Sequence, residues 1–422
     1  MTPVPADRVD LAQFIRPGDR VVLAQGTGEP QTLARLLVAQ RHRLGGIEVF
    51  VGPGYTDVFA GATNGMRFLS YGALGTAAAL ARAGRLDVLP IPYGRLAACF
   101  AEGSLRADVV MLQGAPAIAG RGHGAGLSND YAMAALAHAR VVILEVNPDV
   151  PWTHGDAVPP DFPIALRVQA EAAPPPVPPS RLDAVEAGIA ARVAALIPEQ
   201  ATVQMGVGAL PNAVMTALSG HRGLGIHSGV MGDASVALIE AGVVTNAHKG
   251  MDAGCSITNT LFGTRRLYDF VHDRACVRVQ PAAYTHSVDR IARLHRFTAI
   301  NGGIEVDLGG QVNTETAGNA YIGALGGGLE FARGAALSLG GRAVVAMRSS
   351  AGGGQVSRIV PQVAVATIPR ADADTVVTEH GIAELRGVSL RERARRLIAI
   401  AAPEHREALG RAARAMPGCA HD

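Results

Sequence analysis

The sequence predicts an α/β fold built from two tandem, homologous open α/β domains, with the functional site in the cleft between them. Three observations lead there. Short apolar runs with strand character alternate with amphipathic helical runs, a proline-rich segment divides the chain, and the stretches on either side of that segment echo one another.

The elements follow in order. "RVVLAQG" (20–26) reads as a buried strand and "PQTLARLLVAQR" (30–41) as the helix after it. "ARVVILEVNP" (139–148) is a second apolar strand. Strand cores this uniformly apolar imply a mostly parallel sheet covered on both faces. The segment "EAAPPPVPPSR" (171–181) carries five prolines, too many for a helix or a central strand, and reads as an extended linker. Beyond it "ATVQMGVG" (201–208) and "PNAVMTALSG" (211–220) repeat the strand–helix pattern. "GRAVVAMRSS" (341–350) and "DTVVTEHG" (374–381) read as later strands, and "SLRERARRLIAIAA" (389–402) as a helix.

The echo is specific. "FIRPGDRVVLAQGTGEPQTLARLL" aligns with "ALIPEQATVQMGVGALPNAVMTAL", with one spacing taking Pro17 to Pro198 and Pro30 to Pro211. "VLPIPY", ending at Tyr93, matches "VQPAAY", ending at Tyr284, and "HARVVILEV" matches "GRAVVAMRS". Three matches in the same order imply an internal duplication: domains at 1–170 and 182–422, joined by the linker 171–181. A duplicated pair of this sort places its ligand between the halves.

Composition narrows the function. The 422 residues are 48% hydrophobic and 18% charged, enough for a full core. A formal net charge of +2 gives no electrostatic reason to expect a nucleic-acid partner. Lys249 is the single lysine against thirty-seven arginines, which reads as coding bias. Cys99, Cys255, Cys276 and Cys419 lack zinc or disulfide spacing and read as thiols in a reducing compartment. No stretch has signal-peptide or membrane-span character, so a cytoplasmic protein with no membrane partner is expected.

Four glycine-rich stretches are the candidate chemistry. Gly206 and Gly208, in "GVGALP", end a strand and open a helix, where bare amides and the helix end suit an anion or an oxyanion. A GxG fits a purely structural turn equally well, and Pro211 stands where a dinucleotide fingerprint needs its third glycine. Gly326, Gly327 and Gly328, in "GALGGGLEF", leave three amides open to close approach. "SSAGGGQVSRIVP" (349–361) is a further glycine loop followed by an arginine. "GLGIHSGVMGD" (223–233) is an apolar strand that delivers Gly229 where a working side chain is expected. Glu315 lies in a polar, glycine-flanked loop that could reach the cleft, whereas Glu305 and Asp307 read as solvated strand residues. Glu379 and His380 could do acid–base work or form a capping turn.

In combination, "QMGVGALPNAVMTAL", "GTRRLYDFV", "EVDLGGQVNTE", "GALGGGLEFARGA", "SRIVP", "VVTEHGIAELRG" and "RERARRLIAIAAPEHREAL" resemble the acetyl-CoA hydrolase/transferase family, in particular its 4-hydroxybutyrate CoA-transferase branch. The resemblance extends into the first half through "LSNDYAMAALAHARVVILEVNPDVPWTHGD". It implies the class I CoA-transferase fold, a homodimer, and a CoA thioester and a small carboxylic acid as partners, with neither a metal nor a permanently bound cofactor. It also implies a glutamate nucleophile that attacks the thioester and carries CoA as a glutamyl thioester, with amides of the glycine loops holding the oxyanions and CoA lying along the second domain.

Where the family has that glutamate, this chain has Gly229, framed by His227, Ser228 and Asp233. Gly328 stands in place of the glutamine of the family's GGQ, and the first-domain loop "GAPAIAGRGHGAG" (114–126) lacks the family's acidic residue. Glycine cannot attack, so a glutamyl route through residue 229 is excluded. Two readings remain. One is an acyl-CoA enzyme whose acceptor, water or the acid itself, attacks directly, with Glu315 or Asp233 as general base and Gly229 widening the acyl pocket. The other is a CoA-binding protein without turnover, a regulatory partner of an active homologue.

Overall fold

The computed structural model describes residues 2–61, 64–175, 177, 182–206 and 208–418. Linker residues 176 and 178–181, Val207 and Cys419 lie outside these residues.

Two open sheets carry the chain. In the first, all-parallel sheet the strands run Leu86–Val88, Met66–Ser70, Ile47–Phe50, Arg20–Leu23, Val109–Gly114, Val141–Val146 and Leu166–Gln169 across the sheet. In the second the order is Gly381–Glu384, Thr375–Thr378, Arg342–Ala346, Thr298–Gly302, Thr202–Met205, Gly225–Met231, Ser256–Leu261, Val277–Val279 and His154–Gly155. Its pairs are parallel except for the edge strand Gly381–Glu384.

Stripped of its two outermost strands, the second sheet repeats the connectivity of the first. The first strand of each half lies at the centre, the next three step outward on one side, and the remaining three on the other. All three sequence echoes fall on equivalent elements: the central strands Arg20–Leu23 and Thr202–Met205, the segments after Leu86–Val88 and Val277–Val279, and the strands Val141–Val146 and Arg342–Ala346. Both faces of the sheets are buried. In the first, Val22, Val110 and Leu144 pack on one side, and Val21, Leu23 and Ile143 on the other. That explains why the strands are apolar runs with no alternation.

The halves are not separate in space. His154–Gly155, from the first half, is the ninth strand of the second sheet and pairs with Arg278 and Val279. Two sequence expectations need correction. Asp307 is buried, accepting hydrogen bonds from the Gly309 and Gln311 amides and from Gln311 Nε2, because it closes a tight turn. Glu305 is half-buried and accepts from Asn313 Nδ2. Glu379 and His380 form the turn of the Thr375–Glu384 hairpin, and the Glu379 carboxylate holds the Ser349 amide and hydroxyl.

Candidate active site

The strand Gly225–Met231 lies between Thr202–Met205 and Ser256–Leu261 and sends alternate residues to opposite faces. Ser228 and Val230 line a cavity of about 200 Å³ with Gly206, Gly208, Tyr55 and Phe262. Ser228 Oγ is tied back to its neighbouring strand, donating to the Met205 carbonyl at 3.1 Å. His227 is buried, with Nε2 3.0 Å from the Thr285 carbonyl and Nδ1 without a partner. Burial, reinforced by the nearby Lys249 ammonium, holds its pKa down at about 3.

Gly229 faces the other way. A β-carbon built there would stand 3.1 Å from Nε2 and 3.3 Å from Cε1 of His286, and 3.5 Å from the Phe331 ring. The space beside Gly229 is thus bordered by the His286 ring, which would have to give by a few tenths of an ångström for a β-carbon, against the expectation of a widened acyl pocket. Gly229 is absent from the left-handed backbone region, so its backbone does not demand a glycine there.

The two glycine loops converge on the same place. Asn301, at the end of the central strand Thr298–Gly302, has Oδ1 3.7 Å from a β-carbon built at Gly206, and its Cγ is 3.8 Å from one built at Gly328. Asn301 is fixed by a reciprocal amide pair with Gln204. Gly326 is left-handed, with φ +58°, whereas Gly327 has φ −101° and starts the helix Gly328–Leu337. The need for glycine at 327 is again steric, since a β-carbon there would lie 2.4 Å from His286 Cδ2. Gly208, with φ +124°, opens the helix Ala209–Ala217. A second cavity of about 260 Å³ runs from Gly208 past Asn301 to Arg348 and Arg358. Arg348 pairs with Asp183, and Arg358 donates to the Gly303 and Ile304 carbonyls.

The structure brings Gly206, Gly208, Gly229, Gly326, Gly327 and Gly328 into one region. It commits Glu315 and Asp233 elsewhere. Glu315 is buried with Oε1 accepting from the Thr367 hydroxyl at 2.7 Å and Oε2 from the Tyr321 hydroxyl at 2.8 Å. Asp233 anchors the 264–267 turn, accepting from the Thr264 amide and hydroxyl and from the Leu267 amide. Each of their carboxylate oxygens already has a donor, so neither is placed as a free base.

Two residues that the motifs did not single out stand at the centre instead. His286 follows the short helix Ala282–Thr285, and its ring meets Tyr93 edge-on at 4.9 Å and Phe331 at 4.6 Å between centroids. Glu330, in the first turn of Gly328–Leu337, accepts the Gly94 amide at 3.1 Å through Oε1, while Oε2 is buried without a partner. Burial raises its pKa to about 7. Glu330 was visible inside "GGGLEF", but nothing in the sequence joins His286 to a strand more than fifty residues before it. Among the described residues, no cluster of His, Cys, Asp or Glu could hold a metal, and no helix is long and apolar enough to cross a membrane.

Two open sheets of like connectivity thus bring glycine loops together at one asparagine, with an arginine-flanked cavity beside them, the architecture of a duplicated α/β protein. Residues 263–413 match the acetyl-CoA hydrolase/transferase C-terminal domain. The 4-hydroxybutyrate coenzyme A transferase of Clostridium kluyveri is 37% identical over 402 residues, 92% of each chain. The succinyl-CoA:cyclohexane-1-carboxylate CoA transferase of Geobacter metallireducens is 31% identical, covering 97% of this chain and 94% of that one. Among solved structures, RipA from Yersinia pestis superposes with a TM-score of 0.90 at 30% identity over 96% of both chains. The 4-hydroxybutyrate CoA-transferase of Porphyromonas gingivalis does so with a TM-score of 0.81 at 29% identity, covering 98% of this chain and 97% of that one. The chain belongs to the acetyl-CoA hydrolase/transferase family.

Proposed function

We propose that this protein binds a CoA thioester in the cleft and either hydrolyses it or moves its CoA to a small carboxylate, without a glutamyl-enzyme intermediate. In the transfer the carboxylate attacks the thioester directly and is then itself attacked, as a transient mixed anhydride, by the released CoA thiolate. The observation that carries the reading is the packing of Gly229: the residue bears no carboxylate, and the His286 ring stands against the point where a side chain there would begin. The glycine loops supply amides for the oxyanion, and the cavity with Arg348 and Arg358 suits the phosphates of CoA. The homologous CoA transferases and the 32%-identical acetyl-CoA hydrolase of Kluyveromyces lactis support acyl-CoA as the substrate class. No permanently bound cofactor enters this scheme. Family precedent favours a homodimer, and the free thiols of Cys99, Cys255 and Cys276 suit the cytoplasm.

Initial rates with an acyl-CoA and a carboxylic acid test the reading. Intersecting double-reciprocal lines, with no borohydride-reducible thioester on the enzyme, are expected. Parallel lines together with a reducible adduct would overturn it. The same packing also favours a second reading, a CoA-binding partner of an active homologue in which His286 plugs the acyl position. Calorimetric binding of CoA, with no thiol released from any acyl-CoA, would select it.

A further inference from the structure

We infer that His286 is the acid–base residue of this site and that the acceptor it activates is water, which makes the protein a thioester hydrolase. The inference rests on the reading that a CoA thioester enters this cleft.

Three glycines from three elements wrap the histidine. β-Carbons at Gly229, Gly327 and Gly94 would stand 3.1 Å from Nε2, 2.4 Å from Cδ2 and 3.0 Å from Cβ respectively. The missing side chains are thus the space this imidazole uses, and they hold its ring in one orientation between Tyr93 and Phe331. The Thr285 hydroxyl lies 2.8 Å from His286 Nδ1 and 3.4 Å from the Pro281 carbonyl. In the tautomer inferred here, Nδ1–H donates to that hydroxyl, the hydroxyl donates to Pro281, and Nε2 keeps its lone pair. It lies between the Gly229 strand and Gly327, and among the described residues it has no hydrogen-bond partner. The titratable groups packed around the ring are His227, Tyr93 and Glu330. Burial keeps His286 neutral.

The chemistry balances without a further reactant. A water on Nε2 attacks the thioester carbonyl carbon as Nε2 takes one of its protons, and the loop amides receive the oxyanion. When the tetrahedral intermediate collapses, the C–S bond breaks and Nε2–H protonates the leaving sulfur. The products are a carboxylic acid and the CoA thiol. A carboxylate acceptor is already ionised and has no proton to surrender, so a base at this point serves only water.

The test measures thiol release from acetyl-, butyryl- and succinyl-CoA by the full chain, with calorimetry of CoA in parallel. Wild type should hydrolyse at least one of the three. His286→Gln and His286→Ala should each lower that rate about 10²-fold or more with CoA affinity within threefold. The wild-type rate should stay level as pH falls from 8 to about 5, since the imidazole remains neutral there. If both variants misfold, Gly229→Ala reads the same contact, because its β-carbon displaces Nε2; a loss of about tenfold is then expected. Retained hydrolysis in folded His286 variants, an unchanged rate in Gly229→Ala, or CoA transfer to acetate that outruns hydrolysis would overturn the inference. So would a wild type that binds CoA and releases no thiol. A protein that does not bind CoA at all would remove the proposed function, and this inference with it.

Discussion

A β-carbon at residue 229 is permitted by the backbone and opposed only by the His286 ring. Restoring a nucleophile is therefore a two-residue problem. Gly229→Glu alone should leave the enzyme without a borohydride-trappable thioester, because the new side chain meets an occupied site, and overpacking costs about 1–3 kcal/mol. Gly229→Glu combined with His286→Ala should produce the reduced adduct at residue 229 by mass spectrometry. An adduct in the single variant would show that the imidazole moves aside freely. At the same scale, the chain's only lysine is structural. Lys249 is fully buried with Nζ donating to the carbonyls of Ile226 and Cys255, and its stem lies 2.4 Å from a β-carbon built at Gly225. A straight stem with a compact ammonium fits beneath that glycine, and a planar guanidinium does not. Lys249→Ala orphans two carbonyls and opens a cavity, and should cost about 3 kcal/mol or more in urea unfolding. Coding bias explains the many arginines. It does not explain this exception.

At the scale of the element, the helix Gly328–Leu337 sets one wall of the site. Gly327 begins it with φ −101°, a value any residue adopts, so the constraint on residue 327 is contact. Gly327→Val should push against His286, lose about 1–3 kcal/mol of stability and weaken CoA binding at least tenfold, about 1.4 kcal/mol. Unchanged CoA affinity in a folded variant would take this helix start out of the site. The strand–helix alternation and the mostly parallel sheets were legible because the strands are apolar on both faces and the repeat doubles each signal. The glycine loops were legible because bare backbone is a local property. Glu315 and Asp233 were misread because a carboxylate beside glycines looks free until its donors are seen. Thr367, fifty-two positions beyond Glu315, supplies one of them. His286 was invisible for the same reason, its role being fixed by contacts with Gly94, Gly229 and Gly327, which are remote in sequence.

At the scale of the whole molecule, the buried charges set the pH response. Burial lowers the pKa of His227 and His286 from 6.5 to about 3, so the unfolded chain binds more protons over that interval, and stability rises with pH across it. Burial raises Glu29, Glu145 and Glu330 from 4.5 to about 7, and Asp130 from 3.8 to about 6. Here the folded chain binds more protons, and stability falls as pH rises through the window. Below pH 4.5 the histidines dominate, and above it the four carboxylates outnumber them. These groups place the optimum near pH 4.5–5. Thermal unfolding should give a higher Tm at pH 5 than at pH 7.5. A Tm that climbs steadily to neutrality would mean that these carboxylates are hydrated in solution.

The short strand His154–Gly155 reaches out of the first half to close the far side of the second sheet. A ribosome therefore delivers the last rung of that ladder before it has made any of the others. The later half must assemble towards a strand already waiting, and cutting the chain at the linker would leave Val277–Val279 as a bare edge, open to any passing chain. The two similar halves in this way share a single sheet.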